Sequence, residues 1–241
     1  MTKVCKLCTS NFTIGQKDIE LLAQLSVTFS GEVFEIPFPK LCPDCRFQRR
    51  AAHRNESNLY TTKCAATGKP IVSIYNPEQN LKSYNQGYWW SDKWASKSYG
   101  RNFDFSRLFF EQWKELRDTV PRLPLLSKNS ENSDYTNHAA NNKNCYLSFI
   151  VFNSEDVFYS RKIFSSKSVF DSSYIFGQGE LLYECFWGEN LYNCKFCIFC
   201  LTCSDLNFCY DCRNSSNCFM SSGLRNKQYV FYNQQPDLFQ Q

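Results

Sequence analysis

From about residue 144 onward, apolar positions follow a step of nine residues and no helical period. Cys185, Cys194, Cys203 and Cys212 are nine apart, as are Cys200, Cys209 and Cys218. Tyr174, Tyr183, Tyr192, Leu201, Tyr210 and Phe219 form a third column with the same step. Three columns sharing one period mark an internal repeat. Turn-forming clusters interrupt it at Gly177-Gln178-Gly179, Gly188-Glu189-Asn190 and Asn214-Ser215-Ser216-Asn217. Short strands alternating with turns predict a parallel β-solenoid (β-helix) of nine-residue units over 144–232. Two units would give an 18-residue coil and three a 27-residue coil. In the shorter coil Tyr174, Tyr192 and Tyr210 stack, as do Cys185 on Cys203 and Cys194 on Cys212, at about 4.8 Å. Residues 144–173 have the same flavour with looser spacing, and Leu224–Tyr232 read as an end cap.

Upstream the periodicity turns helical. Arg46, Arg49, Arg50, His53 and Arg54 fall at i, i+3, i+4, i+7 and i+8, giving a helix with one basic face. Leu108, Phe109, Trp113 and Leu116 predict a helix over Arg107–Arg117, with Ser106 as its N-cap and Pro121 and Pro124 stopping it. The expected organisation is therefore mainly β. A unit at 1–58 is followed by an aromatic-rich α+β connecting region with one or two helices at 59–126, a Ser/Asn/Lys-rich linker at 127–143, the solenoid at 144–232 and a tail at 233–241.

Composition changes this picture through one residue type. The chain has 241 residues and 14 Cys. Its first residues, Met1-Thr2-Lys3-Val4-Cys5, carry no apolar secretory segment, and no run of 18 apolar residues offers a membrane span. The expectation is a cytoplasmic protein, without membrane association, whose cysteines are ligands or buried thiols rather than disulfides.

Cys5-x2-Cys8 and Cys42-Pro43-Asp44-Cys45 are two such pairs, separated by 33 residues. Each Cys-x2-Cys turn can aim two thiolates at one ion, and two turns complete a tetrahedron. The expected cofactor is one structural Zn2+ held by Cys5, Cys8, Cys42 and Cys45 in a zinc ribbon. With no His nearby and all four positions taken by sulfur, the site has no place for substrate.

The stretch from Val4 to Arg54 resembles the TRCL-type probable zinc-ribbon domains. It has the two Cys pairs, Gln16 in the insert, Pro39 before the second pair, and Arg46 and Arg49 after it. The string Arg54-Asn55-Glu56, Leu59-Tyr60, Cys64, Thr67-Gly68-Lys69, Trp89-Trp90-Ser91-Asp92-Lys93-Trp94, Phe103-Asp104-Phe105-Ser106-Arg107 and Phe110-Glu111-Gln112 is similar to bacterial proteins that join such a knuckle to a Cys- and Asn-rich repeat region. The resemblance implies zinc binding and this architecture, and implies no activity.

Cys194-x2-Cys197-x2-Cys200-x2-Cys203 is a second constellation. It reads either as a thiol ladder filling a narrow solenoid core or as a second metal site. An iron–sulfur cluster is disfavoured because the last spacing is two and no Pro follows Cys203. Cys64, the odd Cys of the N-terminal half, reads as a small buried residue ahead of a replacement ligand or a reactive thiol. The aromatic run Tyr88-Trp89-Trp90 with Trp94 reads as packing rather than a stacking platform. No nucleophile elbow, phosphate loop or His-Glu-x2-His motif occurs. The leading expectation is a non-enzymatic scaffold with a protein partner or self-association through the solenoid. A nucleic-acid partner would engage Arg46, Arg49, Arg50 and Arg54, although a net charge of +4 is modest for that role. A carbohydrate-binding or carbohydrate-active solenoid would draw on Asp156, Asp171, Glu184, Asp205 and Asp211.

Overall fold

In the N-terminal part, two short strands, β1 (Thr2–Val4) and β2 (Asn11–Thr13), pair antiparallel across a tight turn. Helix α1 (Gln16–Leu25) follows, and its first turn is fixed by the Gly15 N–H donating to the Asp18 carboxylate at 2.8 Å. Strands β3 (Val27–Phe29) and β4 (Glu32–Phe34) form a hairpin. Helix α2 (Pro43–Ala51) starts with Pro43 in its first turn, where a missing N–H costs nothing. The predicted basic helix is thus present, beginning three residues earlier. The core here is small: Cys5, Phe12, Ile14, Cys42 and Cys45, with Ile19 and Leu41 against it. This computed structural model describes residues 1–29, 31–52 and 54–235, so His53 and residues 236–241 of the expected tail lie outside the described residues. The chain divides into two units, Met1–Asn55 and Glu56–Gln241, rather than at residue 58.

The second unit opens with an antiparallel hairpin of β5 (Tyr60–Lys63) and β6 (Pro70–Ser73). A one-turn helix α3 (Gln86–Trp89) and a longer helix α4 (Phe109–Thr119) follow. Helix α4 lies two residues beyond its predicted span. Asp104 takes both the N–H and the hydroxyl of Ser106, at 2.8 and 2.6 Å, so Ser106 is spent in a preceding turn and Leu108 occupies the N-cap. Tyr84 meets Tyr88 and Trp94 edge-on at 5.0 and 5.4 Å, and the Trp94 indole donates to the Trp89 carbonyl at 2.8 Å. Those rings pack among themselves, while Trp90 is more than half exposed.

The rest of the unit is a parallel β-solenoid of about eight turns over 127–219. Its register corrects the predicted coil. Ser127 pairs with Ala139, Asn137 with Phe149, Phe149 with Arg161 and Arg161 with Ser173, each twelve residues apart. At Gly177-Gln178-Gly179 one residue is inserted, so Lys167 pairs with Glu180 and Ser173 with Phe186. The step then returns to twelve, through Glu180 with Tyr192 and on to Phe219 with Phe231. Coils are therefore twelve residues long, not 18 or 27. The nine-residue spacing of cysteines is three sides of a four-sided coil rather than a structural unit.

Each side is a triplet. Asn141, Asn144, Leu147, Ile150 and Asn153 all have φ between 44° and 60°, and the following residues, Asn142, Cys145, Ser148, Val151 and Ser154, are all buried. A chain turning a corner every third residue needs a left-handed residue at each corner, a conformation Asn and Asp tolerate best. Corner amides also bond along the axis: Asn141 donates to Asn153 at 3.0 Å, Asn144 to Asp156 at 3.1 Å and Asn214 to Asn226 at 2.7 Å. This corner chemistry explains two further corrections. The Asn-rich stretch 127–143 is the first part of the solenoid rather than a linker, with Glu131 paired to Lys143. Residues 224–232 continue it as a further coil, since Arg213 pairs with Arg225 and Ser216 with Gln228.

Candidate metal centre

Two pieces of local structure bring the four N-terminal cysteines together. The turn after β1 is closed by the Cys5 N–H donating to the Ser10 carbonyl at 2.9 Å and the Thr9 N–H donating to the Cys5 carbonyl at 3.0 Å. Thr9 adopts φ 62°, which lets the chain reverse within the turn. Cys42 is the N-cap of α2 and Cys45 lies one turn later on the same face. All four Sγ atoms lie within 4.8 Å of one another, and Cys8 and Cys42 Sγ are 3.6 Å apart. A tetrahedral ion with metal–sulfur bonds of about 2.3 Å sets its ligands about 3.8 Å apart. All four cysteines are free thiols. The donor set and its spacing therefore fit one metal ion, with four sulfurs filling a tetrahedron.

The surrounding amides prepare the sulfurs for a cation. The N–H groups of Cys42 and Leu7 donate to Cys5 Sγ at 3.3 and 3.5 Å. The Cys8 amide foremost, with those two, holds the Cys5 thiol down to about 6 against the opposing effect of burial. The Ser10 hydroxyl and amide lower Cys8. Cys45 moves the other way, raised by the sulfurs of Cys8 and Cys42, because thiols this close cannot all ionise without a cation between them. Among the described residues no other group of three or more His, Cys, Asp or Glu ligand atoms converges in this way.

The other sequence candidates fall into place as follows. Arg46 is half-buried on α2, with its Nε buried and unpartnered, whereas Arg49 and Arg50 in the last turn and Arg54 beyond it are exposed. Glu56, which follows this basic segment, pairs with Arg161 of the solenoid. Cys194, Cys197, Cys200 and Cys203 are the inward residues of one coil, one from each side, all buried. Their stacking neighbours are twelve residues away, Cys197 over Cys209 and Cys200 over Cys212, not nine or 18. Each thiol acts as a hydrogen-bond donor: Cys197 Sγ reaches the carbonyls of Lys195 and Leu206 at 3.3 and 3.4 Å. The Cys185 thiol, then the Cys194 thiol, and last burial push Cys197 well above the ordinary thiol range, so it stays protonated. Ser148, on the same side, donates likewise to Tyr146 and Val157 at 2.9 and 3.2 Å.

The carboxylates considered for carbohydrate chemistry, Asp156, Asp171, Glu184, Asp205 and Asp211, all occupy left-handed corners. Asp156 and Asp205 accept from Asn144 and Asn193, and Asp211 pairs with Arg213 and Arg225. No described helix is long and apolar enough to cross a membrane.

What the sequence reading missed is the outward pattern of the solenoid. Glu131, Lys143, Glu155, Lys167 and Glu180 form an alternating charge ladder along one edge, with Glu155 3.6 and 3.9 Å from its two lysines. Phe152, Phe164 and Phe176 stack at 5.7 and 5.5 Å, Phe196 on Phe208 at 4.6 Å and Phe219 on Phe231 at 5.9 Å. Reading the chain at a period of twelve would have found these columns. No protein-family model, no curated protein and no solved structure matches the chain.

Proposed function

We propose that the protein is a non-enzymatic, zinc-binding interaction scaffold whose solenoid associates with a protein partner, with a second copy of itself as the first partner to test. The observation that supports this is the outward aromatic ladder. Phe208, Tyr210, Phe219 and Phe231 are each 40% or more exposed on a solenoid whose inward positions are already filled. Contiguous exposed apolar surface marks interaction sites. Sedimentation or light scattering tests it: a defined oligomer is expected, and Phe208→Ser with Phe219→Ser should reduce it to monomer with the circular dichroism unchanged. A wild-type chain that stays strictly monomeric at high concentration removes self-assembly. Zinc is favoured at the four-sulfur site by its closed tetrahedral donor set. Elemental analysis of anaerobically purified protein should give one zinc per chain and a colourless sample, whereas a coloured iron protein would overturn that assignment.

A second reading is nucleic-acid binding through α2, supported by the exposure of Arg49 and Arg50 in the turn after the ligand Cys45. Salt-sensitive binding to RNA or DNA that disappears in Arg46→Ala/Arg49→Ala/Arg50→Ala would establish it. Unchanged affinity would end it.

A further inference from the structure

The turn holding Cys64 repeats the first cysteine turn bond for bond. In the first, the Cys5 N–H donates to the Ser10 carbonyl at 2.9 Å and the Thr9 N–H to the Cys5 carbonyl at 3.0 Å. Fifty-nine residues later the Cys64 N–H donates to the Lys69 carbonyl at 2.9 Å and the Gly68 N–H to the Cys64 carbonyl at 2.8 Å. The left-handed residue of each turn corresponds too, Thr9 at φ 62° and Gly68 at φ 68°. The flanking hairpins, β1 with β2 and β5 with β6, coincide under the same offset.

The second arm matches under an offset of 43 residues. Lys6 donates to the Lys40 carbonyl at 3.0 Å, and Ala65 to the Ser83 carbonyl at 2.8 Å. The Cys42 N–H donates to Cys5 Sγ at 3.3 Å, and the Asn85 N–H to Cys64 Sγ at 3.2 Å. Arg46 donates to the Cys42 carbonyl at 3.0 Å, and Trp89 to the Asn85 carbonyl at 2.9 Å, each opening a helix. Five hydrogen bonds, two hairpins and two helix starts therefore agree, across two segments with one cysteine in common among the four matched positions. Those positions are Cys64, Thr67, Asn85 and Tyr88, standing where Cys5, Cys8, Cys42 and Cys45 stand in the first unit.

We infer that residues 60–90 are a second copy of the four-ligand knuckle, closed by hydrogen bonds instead of metal, with a backbone that still presents a tetrahedral metal site once the missing sulfurs are supplied. Asn85 makes the closure: its Nδ2 donates to Cys64 Sγ at 3.5 Å and to Thr67 Oγ1 at 3.4 Å, and its Oδ1 accepts the Tyr88 N–H at 2.8 Å. A neutral amide bridging three of the four positions does the cross-linking that an ion does in the first copy. The first unit then depends on metal supply, and the hairpin that precedes the solenoid does not.

Full-length Thr67→Cys/Asn85→Cys/Tyr88→Cys tests this by cobalt(II) titration under anaerobic, reducing conditions, read by thiolate-to-metal absorption. One additional equivalent per chain relative to wild type is expected. The increment is the readout, so a first site that binds no cobalt would sink the zinc proposal without touching this one. A variant that is folded by circular dichroism and takes up no additional metal overturns the inference. Tyr88 packs edge-on against Tyr84 at 5.0 Å, so the triple change can unfold the segment. In that event Thr67→Cys/Asn85→Cys, which keeps Tyr88 and supplies three sulfurs, should bind the additional equivalent, and its failure to do so while folded also overturns it. In wild type, Cys64→Ser should leave metal content unchanged; loss of an equivalent would show that the second copy already holds metal, against the inference.

Discussion

The N-terminal unit and the solenoid hold cysteines for opposite purposes. In the first unit the sulfurs converge within 4.8 Å in a core that, among the described residues, has five buried members, and amides depress Cys5 toward the thiolate. In the solenoid they are spread one per side through a core of 19 buried residues, where Cys197 stays a protonated donor to main-chain carbonyls. A small domain with little apolar surface to bury needs a cross-link. A repeating coil whose neighbours cover one another does not. The same residue type thus gathers into a four-sulfur cluster fit for a metal ion where the chain forms little core, and is a small hydrogen-bonding filler where the core is continuous.

Metal removal should separate the two regions most sharply. Structural zinc contributes about 10–16 kcal/mol of binding free energy in small domains. Chelation, or Cys42→Ser with Cys45→Ser, should therefore unfold residues 1–55 and open them to protease, leaving the solenoid fragment resistant. Equal loss of both regions would break the comparison. Next in size, Ile163→Ala should lower solenoid stability by about 2–5 kcal/mol, because Ile163 is fully buried between Val151 and Ile175. Denaturant unfolding of the 56–235 region would show it, with metal content unaffected.

A pH dependence should mark the second knuckle. Burial raises Cys64, but the Thr67 hydroxyl and the amides of Asn85, Ala66 and Thr67 outweigh it and bring the thiol from 9.0 to about 7. A depressed thiol contributes stability that is fully present above pH 9 and lost as pH falls through 7. The stability difference between wild type and Cys64→Ser should therefore widen from pH 7 to pH 9 in denaturant titrations. A constant difference would place Cys64 with the neutral solenoid thiols. The smallest effect is expected for Cys197→Ser, on the order of 1 kcal/mol or less, since a hydroxyl makes the same bonds that Ser148 and Ser160 make on that side. A loss of several kcal/mol would show that sulfur volume, not hydrogen bonding, sets the choice.

How far the sequence could be read depended on whether a feature was local. The Cys-x2-Cys pairs are local turns, so Cys5, Cys8, Cys42 and Cys45 were legible as one site before any fold was known. Helix α2 was legible from its periodic arginines, and α4 within two residues, since Asp104 diverted Ser106 from the cap. The parallel solenoid itself was legible from repetition. Its coil was not: cysteines nine apart lie on different sides of one winding, and only cross-coil pairing at twelve distinguishes three sides from a whole turn. Residues 127–143 looked like a linker because Asn and Ser favour irregular loops, yet at a left-handed corner those same residues build the regular structure.

By itself, then, the sequence determined the grouping of Cys5, Cys8, Cys42 and Cys45, the presence of a repeat and its parallel β character, because each follows from short motifs or from repetition. Tertiary structure decided the twelve-residue winding, the inward layer of Cys194, Cys197, Cys200 and Cys203, and the outward ladders of charge and aromatic rings. It also decided the likeness of the Cys64 turn to the Cys5 turn, where three of four matched positions differ and only the backbone hydrogen bonds are shared. The winding and the likeness of the two turns rest on main-chain pairing between residues a full coil or a full knuckle apart, which uses every residue's N–H and C=O alike and so leaves little trace in side-chain identity. The inward layer and the outward ladders are written in the side chains, but at a period of twelve that only this pairing reveals.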